Sequence, residues 1–129
     1  MTVLAMDHFT VLTDDLDGAR AFYARIFGMV EGERPNLGFP GAWMYLGDRA
    51  VLHIVAGREL PSESAGVIDH VAFRGEGLGE TIALLEAQEV EYLLRRQAGT
   101  GPWQLFFHDP SGARIEIDFD PSEEAPERA

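Results

Sequence analysis

Four side chains that can bind a metal ion stand in short apolar stretches of the sequence. His8 and His70 each follow an aspartate, His53 lies in the run AVLHIVA, and Glu116 lies in ARIEIDF. Neutral imidazoles and carboxylates bind divalent metals, and two histidines with one carboxylate form the facial triad of non-haem iron enzymes. The residue types therefore predict a metal site, provided that the fold brings these side chains together.

Each of these residues also has an ordinary structural explanation when it is considered alone. A single histidine in a strand is commonly a hydrogen-bonded core or surface residue. Glu116 alternates with Ile115 and Ile117, as in a strand with one face in water. The choice between these explanations depends on the elements that carry the four residues.

The sequence contains two similar halves, which is the feature that places these residues. One half opens with MDHFTVLTDDLDGARAFYARIFGM and the other with IDHVAFRGEGLGETIALLEAQEVEY. In each half a β-rich run is followed by a helical stretch and then by short strands. The first helical stretch, from Leu16 to Phe27, has an apolar face at helical spacing, Asp14 or Asp15 to cap it and Gly28 to end it. The second, roughly Leu78 to Gln88, has a weaker apolar stripe.

Two hairpins complete the pattern, one with Gly47-Asp48 in its turn and one around the Asp-Pro-Ser-Gly turn. Each half is therefore predicted to be a β-α-β-β-β module. Module one covers about 3–57, a polar linker 58–66, module two about 67–120 and an acidic tail, expected to fray, 121–129. We predict a single α+β domain in which the tandem modules form a curled mixed sheet around a metal cavity.

Within this frame the four candidate ligands occupy equivalent places. His8 and His70 belong to the first strands of their modules, and His53 and Glu116 belong to the last strands. If Leu52 and Ile54 pack under the helices, His53 points the other way, into the cavity. Trp43, Met44 and Tyr45 either line a pocket or pack on the first helix. His108 lies either at the rim of the cavity or simply beside the turn.

Composition excludes several classes of function. The formal net charge of −12 repels phosphate backbones, so we expect no binding to nucleic acid. Cysteine is absent, which excludes disulfides and thiolate chemistry and suits a cytoplasmic protein. No run of about 18 apolar residues predicts a membrane span, and the N-terminus does not resemble a secretory signal.

These motifs together resemble the vicinal oxygen chelate superfamily, which includes glyoxalase I, bleomycin- and fosfomycin-resistance proteins and extradiol dioxygenases. The resemblance is carried by the two Asp-His strand starts, the helix AFYARIFGM and the phrase DPSGARIEI, and it covers about residues 5–120. It implies that His8, His70 and Glu116 hold one divalent metal ion. It also implies a small-molecule substrate and a homodimer.

The resemblance further implies a role for His53, because its strand position separates the subfamilies. Glyoxalase I carries a metal-binding glutamate there, whereas extradiol dioxygenases carry a histidine that acts as an acid–base residue outside the ligand set. Our first hypothesis is therefore an extradiol-type dioxygenase with His53 as the catalytic residue, a catechol-like substrate and Fe(II), although Mn, Ni or Zn would also fit.

The substrate side of the site departs from each subfamily in a different way. Dioxygenases usually carry tyrosine where this chain has Phe106, and the fosfomycin group shares the His8-Phe9-Thr10 start but needs a potassium loop that is missing. Phe106, His108 and Thr10 are the candidate substrate contacts. The alternatives are a glyoxalase I-like lyase, isomerase or related transferase, and a metal-free binding or resistance protein.

Overall fold

The computed structural model describes residues 1–63 and 66–127. Residues 64 and 65 of the predicted linker and 128 and 129 of the predicted tail lie outside this range. The chain divides into two compact units, residues 1–62 and 63–129, and each contains one β-α-β-β-β repeat. The predicted grouping of the two repeats into one domain stays a prediction.

Module one forms a four-stranded mixed sheet in the order β1-β4-β3-β2 with one helix. Strand β1 runs parallel to β4, and the other neighbours are antiparallel. The elements are β1 (Phe9–Thr13), α1 (Leu16–Phe27), β2 (Val30–Gly32), β3 (Gly41–Leu46) and β4 (Arg49–Ala56).

Helix α1 begins and ends as its sequence predicts. The side chain of Asp15 accepts a hydrogen bond from the Gly18 backbone N–H at 3.0 Å, and Gly28 takes a left-handed conformation with φ of 69°. The apolar face of the helix packs on β3 and β4. Leu52 and Ile54 are fully buried there, at 0% exposure. Period-two alternation on β4 therefore directs His53 to the opposite face of the sheet.

Module two repeats this topology, with the sheet order β5-β8-β7-β6 and β5 parallel to β8. Its elements are β5 (Val71–Arg74), α2 (Leu78–Ala87), β6 (Tyr92–Arg96), a short 3-10 turn (Gln97–Gly99), β7 (Trp103–His108) and β8 (Arg114–Phe119). The buried face of α2 contributes Leu78, Ile82 and Leu85 to the core of this module. The predicted pair of β-α-β-β-β modules with mixed sheets is thus confirmed.

Two details differ from the sequence prediction. His8 and His70 lie immediately before β1 and β5 rather than within them. The expectation that the acidic tail frays is wrong at Glu123, because its carboxylate accepts hydrogen bonds from the backbone N–H groups of Gly77 and Leu78, the latter at 2.7 Å. Its carbonyl also accepts a bond from the Trp103 indole at 2.7 Å. This part of the tail is a helix cap that the local sequence does not reveal.

Among the described residues, no helix is both long enough and apolar enough to cross a membrane.

Candidate metal and acid–base site

Module one presents a stack of three rings on the open face of its sheet. Thr10 and Trp43 are the neighbours of His53 in register on β1 and β3. The His53 imidazole lies between His8, with ring centroids 3.6 Å apart and planes inclined by 14°, and Trp43, at 4.0 Å and 9°. The sequence left two alternatives for Trp43 and Met44, which either line a pocket or pack on the first helix. Trp43 stacks on His53 and therefore faces the site, whereas Met44 is buried at 1% exposure.

The stack limits what His8 and His53 can do together. An imidazole nitrogen directs its lone pair in the plane of the ring, so a bound metal ion lies in that plane. Two rings that are nearly parallel and 3.6 Å apart lie in separate planes, and one ion cannot lie in both planes. In this arrangement His8 and His53 cannot both bind one ion.

The surroundings of His53 favour its neutral form. Burial against the neighbouring rings lowers the pKa of His53, and the nearby charge of His8 lowers it further. Because an imidazole accepts a proton only when neutral, this environment suits an acid–base group that begins as a proton acceptor.

An aspartate orients the imidazole of His8. The carboxylate of Asp7 lies 2.6 Å from Nδ1 of His8, and the hydrogen bond with this histidine lowers the pKa of Asp7. A proton held on Nδ1 leaves the lone pair of Nε2 available. Metal-binding histidines are oriented in the same way, by a carboxylate on the nitrogen that does not bind the metal.

Module two repeats this device and adds a carboxylate ligand. Asp69 lies 2.7 Å from Nδ1 of His70, and Nε2 of His70 lies 2.9 Å from Oε1 of Glu116. Arg114 in turn donates to Asp69 at 2.6 Å. Glu116 is 6% exposed although its strand alternates with isoleucines, so the carboxylate is not a solvated surface group.

The donor set of module two fits a divalent cation. Both nitrogens of His70 face a carboxylate oxygen, so both contacts are satisfied either by a doubly protonated ring or by a cation that replaces the Nε2 proton. An imidazole nitrogen and a carboxylate oxygen at this separation are ligands for first-row metals. In module one, Asp7 holds Nδ1 of His8 and leaves Nε2 as a donor of the same kind.

The charge on Glu116 is maintained by its neighbours. Hydrogen bonding from Asp118 is the main cause that lowers the pKa of Glu116, and Gln104 adds a bond to Oε2 at 3.3 Å. Burial and the contact with Glu116 raise the pKa of Asp118 to about 6. Glu116 is therefore the ionised member of the pair, as a metal ligand must be.

The candidate substrate residues have different environments. Phe106 is buried in register with Glu116, and the guanidinium groups of Arg95 and Arg114 lie 5.0 and 4.8 Å from its ring centre. Thr10 lines a cavity next to His53. His108 is exposed at the end of β7, beside the buried turn residue Asp109, so its substrate contact stays a prediction.

Several residues that shape the site were missed by sequence reasoning. Asp7 and Asp69 were visible as part of the repeated Asp-His pair, and that repetition was the available signal. Gln104 lies two residues from Phe106 on β7, and Asp118 lies two residues from Glu116 on β8, so both share a face with Glu116. Their contacts could not be predicted without the strand register.

Within each module, the residues that the structure describes contain no group of three or more His, Cys, Asp and Glu side chains able to hold a metal. The structure instead groups the sequence-predicted residues as pairs, His8 with His53 and His70 with Glu116.

Comparisons with known proteins identify the family. The chain belongs to the Glyoxalase/Bleomycin resistance protein/Dioxygenase superfamily, whose sequence model matches residues 5–117, so the predicted family is confirmed. A relative named Glyoxylase I 4 from Arabidopsis thaliana is 33% identical over 121 residues, which cover 88% of this chain and 69% of the relative.

Solved structures agree with this fold. A protein from Bacillus anthracis assigned to the glyoxalase family is 25% identical with a TM-score of 0.75, covering 93% of this chain and 98% of that one. A variant of the Listeria monocytogenes fosfomycin resistance protein FosX, solved with Mn(II) and 1S,2S-dihydroxypropylphosphonic acid, has a TM-score of 0.77. It is 18% identical and covers 92% of this chain and 94% of that one, so the likeness concerns the fold.

Proposed function

We propose that this protein is a metal-dependent enzyme in which His8, His70 and Glu116 hold one divalent cation and His53 transfers a proton on a small-molecule substrate with adjacent oxygens. The observation that carries the proposal is the contact of His70 Nε2 with the buried Glu116 carboxylate at 2.9 Å. Asp69 behind His70 and Asp7 behind His8 support it, because both imidazoles are oriented as metal ligands are.

When bound, a divalent cation on three protein ligands would supply open positions for two substrate oxygens and would stabilise negative charge on them. The protein supplies the proton transfer. His53 is held between His8 and Trp43, so its ring has little freedom to turn. A fixed neutral imidazole beside His8 takes a proton from a substrate carbon or hydroxyl and returns it at a neighbouring atom.

Among the reactions that this site supports, proton transfer of the glyoxalase type is our first choice. The relative that is 33% identical carries the name Glyoxylase I 4. Phe106 also lacks the hydroxyl that dioxygenases usually present at this position, which weakens our initial hypothesis. The glyoxalase type thus ranks above the extradiol-type dioxygenase, whereas the sequence alone suggested the opposite ranking.

An extradiol-type dioxygenase with Fe(II) is the second candidate, and one observation favours it. The ring stack removes His53 from the set of ligands that can share an ion with His8. A histidine outside the ligand set is the arrangement that resembles those dioxygenases. Which metal the protein uses, Fe(II), Mn, Ni or Zn, depends on which of the two reactions it catalyses. The experiments that identify the reaction therefore also test the metal.

Metal binding tests the proposed ligand set. We expect one divalent ion per chain in calorimetric titrations with Mn(II), Ni(II), Zn(II) and, under nitrogen, Fe(II). Glu116→Gln keeps the shape of the side chain but removes its charge, so it should weaken binding strongly. Glu91→Gln, an exposed change on the same module, is the control. Wild-type metal affinity in Glu116→Gln would show that the ligand assignment is wrong.

Turnover by His53→Ala separates the role of this residue from metal binding. General acid–base catalysis typically contributes about 10²–10⁴-fold, so the rate should fall by about that factor while metal content stays at the wild-type level. Loss of metal together with activity would instead make His53 a ligand.

The substrate panel separates the two reactions. Wild-type protein is assayed with glutathione hemithioacetals and with catechols, each under air and under nitrogen. Turnover of a hemithioacetal in both atmospheres supports the glyoxalase type. Oxygen uptake with a catechol and none with the hemithioacetal supports the dioxygenase.

A further inference from the structure

Module one contains a cavity of about 370 Å³ next to the proposed acid–base residue. Its polar lining consists of Thr10, Arg34, His53 and Arg58. The apolar lining includes Trp43 and Phe39, and Phe39 remains 38% exposed. A cavity of this size, with mainly apolar walls and a few polar groups, is suited to one small organic molecule.

The two arginines of this cavity lack carboxylate partners. Within residues 1–63 and 66–127, no ion pair joins Arg34 or Arg58 to an acidic side chain, although acidic residues outnumber basic ones by 22 to 10. Both guanidinium groups lie over the ring of Phe39, at 5.1 and 5.9 Å from its centre. Both are thus held at one aromatic ring without a carboxylate that neutralises them.

Arg34 is the more constrained of the two. Its Nη2 donates to the carbonyl of Phe39 at 2.9 Å, which fixes the guanidinium group. Its Nε atom is buried and has no hydrogen-bond partner among the described residues. A buried donor without a partner is destabilising, so a ligand oxygen that reached it would remove an existing penalty. Arg34 and His53 both line this cavity, and the charge of Arg34 contributes to lowering the pKa of His53.

We propose that this cavity binds an oxyanion group carried on an apolar body, with Arg34 and Arg58 recognising the anion and Phe39 and Trp43 contacting the body. This inference rests on the proposed function, because the anion would be the part of the substrate that positions it against His53. Guanidinium groups recognise carboxylates and phosphonates with paired hydrogen bonds. The substrate class is therefore an organic carboxylate or phosphonate, and neutral substrates bind less well.

Calorimetry with four probes tests the anion and the body separately. Benzoate and phenylphosphonate carry both features, benzamide carries the body without the charge, and inorganic phosphate carries the charge without the body. We expect benzoate or phenylphosphonate to bind at least about 10-fold more tightly than the other two, since hydrogen bonds to charged groups are stronger than those between neutral groups. Whichever of the two binds more tightly identifies the oxyanion. Equal affinity for benzamide, or for inorganic phosphate, would contradict the proposal.

Variants locate the binding to this cavity. Arg34→Gln and Arg58→Gln should each weaken binding of the preferred probe by about 10-fold without changing the affinity for benzamide. Arg25→Gln removes the same charge from α1, outside the cavity lining, and should bind like the wild type. Because Arg34 also holds the Phe39 carbonyl, Arg58→Gln is the decisive variant, since within the described part of the chain the Arg58 side chain makes no hydrogen bond. Wild-type affinity in Arg58→Gln would sink the proposal.

The test is independent of the metal. All titrations use protein treated with a chelator, and metal titrations of Arg58→Gln follow as a separate measurement. If the probes fail to bind but Glu116→Gln still loses the metal, only the anion site is wrong. If the probes bind as expected but Glu116→Gln retains the metal, the ligand assignment fails and the anion site stands.

Discussion

The two Asp-His pairs are the smallest feature that defines this site. In each pair the carboxylate contacts Nδ1 of the following histidine, at 2.6 Å in module one and 2.7 Å in module two. A dipeptide that forms the same contact twice is more than a local coincidence, because each module orients its imidazole independently. The consequence is that Nε2, rather than Nδ1, is the nitrogen available for binding a metal.

This orientation gives a prediction at the level of one carboxylate. Asp69→Asn keeps the shape of the side chain but removes the charge behind His70. Loss of such an outer partner typically costs about 10–100-fold in metal affinity, and we expect a loss in that range for Asp69→Asn and for Asp7→Asn. Competition with a chromophoric chelator measures it.

Asp48→Asn is the matched control, since Asp48 is exposed in the β3–β4 turn and should bind the metal like the wild type. If Asp69→Asn does the same, the carboxylate behind His70 only pairs with Arg114 and has no part in the site.

Residue types could be predicted from the sequence better than residue contacts. The equivalence of His8 with His70, and of His53 with Glu116, was evident from the repeat. The position of the His53 ring between His8 and Trp43 was not, because it depends on side-chain rotamers and on the register of β1, β3 and β4. The same is true of the opposite pKa shifts of Glu116 and Asp118, because strand spacing predicts that the two side chains share a face but not how they interact.

At the scale of elements, α2 shows how a helix start can depend on a distant part of the chain. Its N-cap residue is Gly77, which has no side chain that can cap. The carboxylate of Glu123 takes this role, with bonds to the backbone N–H groups of Gly77 and Leu78. A negative charge at this end also interacts favourably with the helix dipole.

Removing this cap should destabilise the protein. We expect Glu123→Ala to lower the free energy of unfolding by about 1 kcal/mol, within the range of about 0.5–2 kcal/mol measured for N-cap substitutions. Denaturant unfolding followed by circular dichroism measures the change. Glu124→Ala removes the same charge from the exposed neighbouring residue and should change stability by less than about 0.5 kcal/mol. Equal effects of the two substitutions would mean that charge in the tail, and not the cap, matters.

The regular elements were predictable because their signals are local. Helical spacing and caps identified α1, and turn residues separated the strands of both hairpins. The capping role of Glu123 was not predictable in this way, because it joins residues that are 45 and 46 positions apart. An acidic segment without periodicity gives no sign that one of its carboxylates meets a helix.

At the scale of the whole molecule, each module leaves edge strands and apolar side chains uncovered. Sheet one ends at β1 and β2, and sheet two ends at β5 and β6. The segments before β1 and β5 carry exposed apolar residues, with Leu4 at 92%, Met6 at 67% and Ile68 at 83% exposure. Exposed sheet edges beside apolar side chains favour association with another chain.

We therefore expect a symmetric homodimer, since closed pairs are the commonest assembly of identical chains. Sedimentation at micromolar concentration should give twice the chain mass of 14.2 kDa. Leu4→Glu with Ile68→Glu places charge in the uncovered segments and should shift the protein toward the monomer. Leu84→Glu, on α2 at 40% exposure, is the control and should leave the dimer intact. A wild-type protein that sediments only as the monomer would show that these segments have no partner copy. In that case the uncovered edges would need protection by their own side chains.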